Sequence, residues 1–175
     1  VAKALHDVIA QSDIIMIMGH SVSDLDAVGS AVGLAAAVKS CNKHPYIVVR
    51  EETSLARNLI DRVREEWEDE ELFITPERAL SMGIGHNSLL IITDVHVARM
   101  TESEELVKRF NKKVVIDHHR RMVDYISDTV VSYHEPYASS ASELVCELIQ
   151  YIVPPQIKGP QVAAEAMLSS IMLDT

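Results

Sequence analysis

Six short apolar runs, rich in β-branched residues, are spaced along the chain between segments with helical periodicity. The runs lie at residues 14–18, 46–49, 72–74, 89–93, 113–116 and 130–133. Most are continuously apolar instead of alternating, which is typical of parallel strands that are buried on both faces. Strands that alternate with helices predict an α/β fold, in which a parallel β-sheet is flanked by helices.

Helical periodicity predicts the segments that cover this sheet. In the first of them, Leu5, Val8 and Ile9 fall on one face at helical spacing. The length of 175 residues suits one globular domain, residues 1–175. The predicted helices are residues 2–10, 25–39, 54–66, 76–81, 104–110, 140–151 and 161–173.

The charge balance restricts the partners of the chain. Its 26 acidic and 16 basic side chains give a formal net charge of -10, which repels long nucleic acids. Acidic residues gathered at one site would instead attract divalent metal ions, and a metal-loaded site favours small phosphorylated ligands. Cys41 and Cys146 lack the spacing of a thiolate zinc site, which fits a reducing, cytoplasmic compartment.

The two ends of the chain resemble cut ends. Residue 1 is Val instead of Met, and residues 170–175 end an apolar segment without a helix stop signal. No apolar run is long enough to span a bilayer, and the N-terminus has no signal-peptide pattern. We therefore expect a piece of a longer protein that makes no membrane contact of its own.

The first cluster of reactive side chains follows the first predicted strand, where His20, Asp24 and Asp26 stand in a loop. Ligands of open α/β sheets bind in the crevice beyond the carboxyl ends of the strands, where this loop emerges. His20 and Asp24 could bind one metal ion and Asp26 a second. The alternative is helix capping, since an Asp at a helix start satisfies free backbone donors and opposes the helix dipole.

Asp94 directly follows the fourth predicted strand and reaches the same edge of the sheet. Its two carboxylate oxygens could bridge two cations about 3.5 to 4 Å apart, the separation used in two-metal phosphoryl chemistry. A cap or a turn remains the alternative for Asp94. His96, two residues later, either supports the site or is a histidine at its rim.

Asp117, His118 and His119 follow the fifth predicted strand, with Arg120 next. Adjacent histidines on extended backbone point in different directions, so one could bind a metal while the other faces the substrate. Asp117 could receive the imidazole proton of a metal-binding histidine and fix its tautomer. Asp174, near the end of the chain, carries no signal on its own. Because histidines and carboxylates recur after three strands, the sequence predicts a joint metal site.

The order of these motifs resembles the DHH phosphoesterase family, whose name describes the triplet at residues 117–119. GHSVSDLDAVGSAVG resembles its first motif, TDVH its second, IDHHR its third and IMLDT its last. The resemblance covers nearly the whole chain, and it implies the N-terminal, metal-binding domain of this family.

The resemblance implies a two-metal site with six ligands. His20, Asp24 and Asp94 would hold one ion, and Asp94 would share the second with the ligands Asp26, His118 and Asp174. Oxygen and imidazole ligands without sulfur favour Mn²⁺, with Mg²⁺ as the second choice. His119 and Arg120 would face the phosphate and stabilise the charge of the transition state. The implied reaction is attack on phosphorus by a hydroxide that the metals activate.

A narrower resemblance comes from HEPYASSASELVCELIQY at residues 134–151, which is similar to the GdpP (YybT) group of this family. It implies a bacterial, membrane-tethered enzyme that hydrolyses cyclic di-AMP to 5'-pApA on the cytoplasmic side. Ser139 or Ser140 would then contact the substrate. Ser140 and Glu143 also have the spacing of a capping box at a helix start, which would hold whatever the function.

Two features depart from the family pattern. Val95 and Val97 stand where the group commonly has Thr and Arg, which puts a phosphate contact of that loop in doubt. A C-terminal substrate-binding domain, which the resemblance implies, has no counterpart in the chain, so the chain alone could be weakly active. His6, His44, His86 and His134 match no motif and are interpreted as surface or packing residues.

Two other functions remain open at this stage. Another member of the same family, such as an oligoribonuclease, phosphoadenosine phosphatase, exonuclease or pyrophosphatase, would use the same ligands on a different substrate. A noncatalytic nucleotide or metal sensor would keep the fold without turnover. The sequence is compatible with a homodimer but does not indicate one.

Overall fold

The computed structural model describes residues 1–156 and 159–174. All six predicted strands form one sheet, in which every pairing is parallel. The chain therefore has the α/β fold that its apolar runs predict. The strands are β1 (Ile14–Met18), β2 (Pro45–Val48), β3 (Phe73–Ile74), β4 (Ser88–Thr93), β5 (Lys112–Asp117) and β6 (Val131–His134).

The order of the strands is β3-β2-β1-β4-β5-β6. The chain builds the sheet outward from β1 to β3, then returns to place β4 on the other side of β1. The connections of β1 and β4 thus run in opposite directions, which leaves a crevice at the carboxyl ends of these two strands. Ligand groups that follow β1 and β4 are brought together there.

Helices cover both faces of the sheet. They are α1 (Ala2–Ala10), α2 (Leu25–Ser40), α3 (Arg57–Trp67), α4 (Pro76–Ser81), α5 (Glu104–Arg109), α6 (Ala141–Ile152) and α7 (Gln161–Asp174). The larger core joins α1, α2, α3, α6 and α7 to one face, where Ile15 and Ile17 of β1 point. The smaller core joins α4 and α5 to the other face, where Met16 and Met18 point. This alternation follows from the period of two in a strand.

Helix α2 is buried on nearly all sides because it lies between the sheet and α7. A helix in such a place must be apolar all round, and α2 is accordingly rich in Ala, Val and Gly. Gly29 allows the close approach of α7: a Cβ at this position would lie 2.8 Å from the carbonyl oxygen of Ala166. The end of α7 is thereby held against the start of α2.

The boundaries of most elements agree with the prediction within one or two residues. The largest difference is at α3, which begins at Arg57 and not at residue 54. The hydroxyl of Ser54 donates to the carbonyl of Ser23 and accepts from the N–H of Ala56, so this residue is tied to the β1 loop and stays outside the helix. In the described part of the chain, no helix has the length and apolarity needed to cross a bilayer.

Candidate metal centre

Three loops meet at the carboxyl ends of the central strands. The loop after β1 and the segment after β4 pair through their backbones, because Ser21 N–H donates to Met100 O at 2.9 Å and Glu102 N–H donates to Gly19 O at 3.0 Å. These bonds pair the backbone of His20 with that of Thr101, and the His20 side chain reaches Asp94. The loop after β5 and the end of α7 complete the site. Thr175, the last residue of the IMLDT motif, lies outside the described residues.

The first ligand group consists of His20, Asp24 and Asp94, whose ligand atoms lie within 4.8 Å of one another. His20 Nε2 is 3.2 Å from Asp94 Oδ2 and 3.5 Å from Asp24 Oδ1. Asp24 also caps α2, since its Oδ1 accepts from the N–H groups of Asp26 and Ala27. The capping alternative is thus correct for Asp24, and it coexists with a place in the cluster.

The second ligand group consists of Asp26, His118 and Asp174, which also lie within 4.8 Å of one another. They come from the first turn of α2, the first position after β5 and the last turn of α7. His118 Nε2 is 3.6 Å from Asp26 Oδ2. The Nδ1 of His118 donates to the carbonyl of Ala138 at 3.3 Å, because a carbonyl can only accept, and this leaves Nε2 to face the carboxylates.

Asp94 lies between the two groups. Its Oδ2 faces His20, whereas its Oδ1 is 3.3 Å from His118 Nε2 without the geometry of a hydrogen bond. Asp94 is 3% exposed, and Oδ1 has no hydrogen-bond partner among the described residues. Buried acceptors are normally satisfied, so an unsatisfied carboxylate oxygen is an unusual feature of a native fold. The backbone of Asp94 has φ 62°, a left-handed conformation that Asp tolerates better than most residues.

The structure therefore fits a pair of divalent cations. The donors are carboxylate oxygens and imidazole nitrogens, the chemistry that Mn²⁺ and Mg²⁺ accept. A cation beside Asp94 Oδ1 would satisfy this oxygen, which has no hydrogen-bond partner among the described residues. The six predicted ligands are brought together by the fold, and their binding of metal remains a prediction.

The ionisation of the cluster reflects its packed carboxylates. Burial alone would lower the pKa of His20, but Asp24 and Asp94 outweigh it and raise this pKa to about 10. Asp94 likewise raises the pKa of His118 to about 9, against the effect of burial. Burial, followed by the charge of Asp94, raises the pKa of Asp26 to about 6. Cations would remove this repulsion between carboxylates and displace the histidine protons.

Asp117 is fully buried and organises the loop after β5. Its Oδ1 accepts from the backbone N–H groups of His118 and His119 and from His119 Nδ1 at 2.7 Å. Its Oδ2 accepts from His96 Nδ1 at 2.5 Å. Burial would raise the pKa of Asp117, but the bonds with His119 and His96 outweigh it and lower the pKa to about 2. The carboxylate therefore supports His119 and His96, while the imidazole of His118 has the Ala138 carbonyl as its partner instead.

His96 is buried and bonded to Asp117, which favours its interpretation as a residue that supports the site. Its Nε2 accepts from the N–H of Met122 at 2.9 Å. Nδ1 therefore carries the ring proton and donates the hydrogen bond to Asp117. His134, interpreted from sequence as a surface or packing residue, packs its ring 4.8 Å from that of His96 and donates from Nε2 to the carbonyl of His119. Both residues hold the loop that carries His119.

A cavity of 640 Å³ adjoins the first ligand group. Its polar lining comprises His20, Ser21, Asp94, His96, Arg99, Asp117, His119 and Arg120. The rest of the wall is largely apolar and is formed by Val22, Val95, Val97, Met100 and Met122. The cavity thus combines arginine and imidazole groups with an apolar compartment, although the net charge of the chain is -10.

Ser140 is the N-cap of α6, as its spacing to Glu143 predicts, and Ser139 precedes it. The hydroxyl of Ser140 accepts from Glu143 N–H at 3.0 Å, and Ser139 donates from both its N–H and its hydroxyl to the Glu143 carboxylate. Ser140 is fully buried. Their hydroxyls are therefore engaged within the protein, and a contact with substrate stays a prediction that the structure does not test.

Two serines that the sequence did not single out contact the cluster. Ser170 of α7 donates to Asp26 Oδ1 at 3.2 Å, and Ser142 of α6 contacts the hydroxyl of Ser170. Asp26 also accepts from the N–H groups of Ala141 and Ser142, so it caps α6 as well as belonging to the second ligand group. No local sequence pattern predicts these contacts, because they join residues that lie far apart along the chain.

An all-parallel sheet with a cluster of carboxylates and histidines at its switch point is the arrangement of an α/β enzyme that binds ligands beyond its strand ends. Residues 14–173 match the family described as DHH family, N-terminal domain. The chain therefore belongs to the DHH family, a family of phosphoesterases.

Curated relatives match over the full length of the chain. It is 37% identical to the cyclic-di-AMP phosphodiesterase GdpP of Bacillus subtilis (strain 168) and 34% identical to the cyclic-di-AMP phosphodiesterase PdeA of Listeria monocytogenes serotype 1/2a (strain 10403S). In both cases the match covers 100% of this chain and 27% of the relative. The chain thus spans about a quarter of the length of these relatives.

Solved structures share the fold at low sequence identity. An exopolyphosphatase-related protein from Bacteroides fragilis superposes with a TM-score of 0.75 and 20% identity, over 99% of this chain and 49% of that one. Exonuclease RecJ bound to manganese gives a TM-score of 0.56 and 14% identity, over 97% of this chain and 42% of that one. These similarities support the fold alone.

Proposed function

We propose that the chain is the metal-binding domain of a phosphodiesterase that hydrolyses cyclic di-AMP to 5'-pApA. The observation that carries this proposal is the position of Asp94, whose two oxygens face two separate ligand groups. The names of the curated relatives, at 34% to 38% identity over the whole chain, support cyclic di-AMP as the substrate.

Two divalent cations, Mn²⁺ by preference and Mg²⁺ as the second choice, are the proposed cofactors. His20, Asp24 and Asp94 would hold one, and Asp26, His118 and Asp174 would hold the other together with Asp94. When bound, such a pair lowers the pKa of a water molecule and neutralises phosphate oxygens. The absence of sulfur among the ligands supports this choice of metals.

His119 and Arg120 are the proposed contacts for the phosphate. Asp117 holds His119 by its Nδ1 and raises the pKa of this histidine, against the effect of burial. The imidazole therefore tends to keep its second proton, which Nε2 can donate to an oxygen of a phosphate in the cavity. Arg120 lines the same cavity and adds a positive charge. Both groups would stabilise negative charge that grows in the transition state.

The apolar part of the cavity supports a nucleotide substrate over pyrophosphate. A nucleobase can cover the apolar side chains of Val97, Met100 and Met122 and remove them from water. Pyrophosphate has no apolar part and would leave these side chains in contact with water. The cavity volume of 640 Å³ is within the range of small-molecule sites, about 300 to 1,000 Å³. Ser139 and Ser140 remain proposed substrate contacts. To bind the substrate, their hydroxyls would have to give up their hydrogen bonds at the start of α6.

We also infer that the chain is one domain of a longer protein that is anchored in the bacterial membrane, with this domain on the cytoplasmic side. The relatives in Bacillus and Listeria are almost four times as long as the matched region. A relative in Aster yellows witches'-broom phytoplasma (strain AYWB), 32% identical, is named a membrane protein fused to large ribosomal subunit bL9. A C-terminal substrate-binding domain would complete the site.

The test is a substrate comparison with the full-length protein. Cyclic di-AMP, 5'-pApA and pyrophosphate are incubated in parallel with Mn²⁺, and the products are separated by chromatography. We expect Mn²⁺-dependent conversion of cyclic di-AMP to 5'-pApA, and its loss after chelation. Preferred hydrolysis of pyrophosphate or of 5'-pApA would assign the chain to another activity of the family. Tight nucleotide binding without any product at saturating Mn²⁺ would indicate a sensor.

A further inference from the structure

Ser170 lies one helical turn before Asp174 in α7 and is 1% exposed. Its hydroxyl is 3.2 Å from Asp26 Oδ1 and also contacts the hydroxyl of Ser142, which is fully buried in the first turn of α6. Three helices, α2, α6 and α7, therefore meet at one carboxylate. Of Asp26, Ser142 and Ser170, only Asp26 is a predicted metal ligand.

The two oxygens of Asp26 have different partners. Oδ1 accepts from Ser142 N–H at 2.9 Å and from the Ser170 hydroxyl, whereas Oδ2 accepts from Ala141 N–H at 2.7 Å and faces His118. The single proton of the Ser170 hydroxyl is shared among three acceptors: Asp26 Oδ1, the Ser142 hydroxyl and the carbonyl oxygen of Met167 at 3.0 Å. An ionised carboxylate can only accept, and when the proton points at Oδ1 the Ser142 hydroxyl can donate to Ser170. Oδ1 is thus occupied by protein donors, and Oδ2 keeps a free lone pair toward the second ligand group.

The contact of Ser170 depends on the tight packing of α7 on α2. A Cβ at Gly29 would lie 3.1 Å from the Cβ of Ser170 and 2.8 Å from the carbonyl oxygen of Ala166. Only glycine lets the two helix backbones approach so closely without displacement. The same approach brings the last turn of α7, and with it Asp174, to Asp26.

We infer that Ser170, assisted by Ser142, is a positioning residue of the metal centre. Its hydroxyl fixes the rotation of the Asp26 carboxylate and anchors α7 at the same time, so that Asp26 and Asp174 present their oxygens to one cation. The inference rests on the proposed two-metal centre. Residues that hold metal ligands in place affect metal affinity without touching the metal.

The test measures the binding of Mn²⁺ to full-length protein by calorimetry and electron paramagnetic resonance. Ser170→Ala is expected to weaken one of two Mn²⁺ sites about tenfold and to leave the other unchanged. At a Mn²⁺ concentration that gives the coupled spectrum of a metal pair in the wild type, the variant would show the six-line spectrum of an isolated ion. Ser142→Ala is expected to weaken the same site, and the double variant to add less than the sum.

Two control variants separate hydrogen bonding from packing. Ser169→Ala alters the exposed neighbour on the same helix and should bind both ions as the wild type does. Ser170→Cys restores the volume of the side chain but is a weak donor, so it should behave like Ser170→Ala. Full recovery by Ser170→Cys, or equal weakening of both sites, would overturn the inference. A wild type that binds no Mn²⁺ would instead overturn the metal centre itself.

Discussion

The two ligand groups are built in different ways. The first group lies on two loops that follow the neighbouring strands β1 and β4, and backbone hydrogen bonds join these loops. The second group comes from α2, the loop after β5 and α7, and its residues are spread from position 26 to position 174. Helix packing, and the bonds of Asp26 to α6 and α7, hold it together.

This difference indicates how each group responds to change. Sheet geometry fixes the first group, so substitutions outside its loops should leave it intact. The second group depends on the packing of helices onto one another, so substitutions at the interface of α2 and α7 should disturb it selectively. Asp94 is the exception, since it contacts both groups.

Asp94→Asn should produce the largest effect, because it removes the charge that the two groups share. Asn is preferred to Ala for this test, since Asn also tolerates the left-handed backbone at φ 62°. Loss of about 4 kcal/mol of charge stabilisation would lower turnover of cyclic di-AMP about a thousandfold. Mn²⁺ stoichiometry, measured by calorimetry, should fall below two.

Asp7→Asn is the matched control for that variant. Asp7 is a partly exposed residue of α1 that pairs with Lys3, and its replacement should alter neither turnover nor stoichiometry. If Asp94→Asn kept two Mn²⁺ ions and full turnover, the groups would be independent and the idea of a bridging carboxylate would fail.

Gly29→Ala should break the second group alone. The added Cβ would lie 2.8 Å from the carbonyl oxygen of Ala166, so α7 must move away from α2. Overpacking of this kind lowers the free energy of unfolding by about 1 to 3 kcal/mol, which denaturant unfolding of the metal-free protein measures. Binding of Mn²⁺ to the second group should weaken with it, while the first group keeps its ion.

Gly85→Ala is the control for Gly29→Ala. A Cβ at Gly85 meets no atom of the described residues within 4 Å, so this variant should unfold with nearly the same free energy as the wild type. Equal weakening of both metal sites in Gly29→Ala would contradict the separation of the groups.

The sequence predicts the first group well for a physical reason. His20 and Asp94 follow continuous apolar strands, and parallel strands carry their carboxyl ends to one edge of the sheet. The predicted sheet and its six strands were also confirmed, because continuous apolar runs are typical of buried parallel strands. The start of α3 was predicted too early, because the tertiary bonds of Ser54 to the β1 loop compete with helix formation there.

The support of the second group could not be predicted in this way. Asp26 is 115 residues from Ala141 and 144 residues from Ser170 along the chain. Bonds between such distant residues leave no periodic pattern, and a single serine in a helix is too common to indicate a contact with a predicted metal ligand. Asp174 was identified only through the resemblance to the DHH family, because an Asp near a helix end carries no signal of its own.

The pH dependence of Mn²⁺ binding would further distinguish the first ligand group from the second. In the metal-free protein the pKa values of His20 and His118 are raised to about 10 and about 9, so both imidazoles are protonated at neutral pH. Their ion pairs stabilise the metal-free fold below about pH 6.5, the unfolded pKa, and this stabilisation is lost as the pH rises through 9 and 10.

Each cation must therefore displace a proton, and the affinity for Mn²⁺ should rise between about pH 6 and pH 9. Calorimetry in buffers of different ionisation enthalpy should show release of about two protons per protein at neutral pH. His118 loses its proton at the lower pH, so the second group should approach its full affinity first. Binding without proton release would mean that the histidines do not bind the metals.

Met122→Ala should have the smallest effect, confined to the cavity beside the first group. The thioether of Met122 is part of the apolar wall, and its removal would cost about 1 kcal/mol of contact with a nucleobase. The KM for cyclic di-AMP should then rise about fivefold at an unchanged kcat, because the ligand groups keep their geometry. Val123→Ala, which alters the fully exposed next residue, should leave both constants as they are. A lower kcat at constant KM would show that the Met122 side chain supports the metal centre instead of contacting the base.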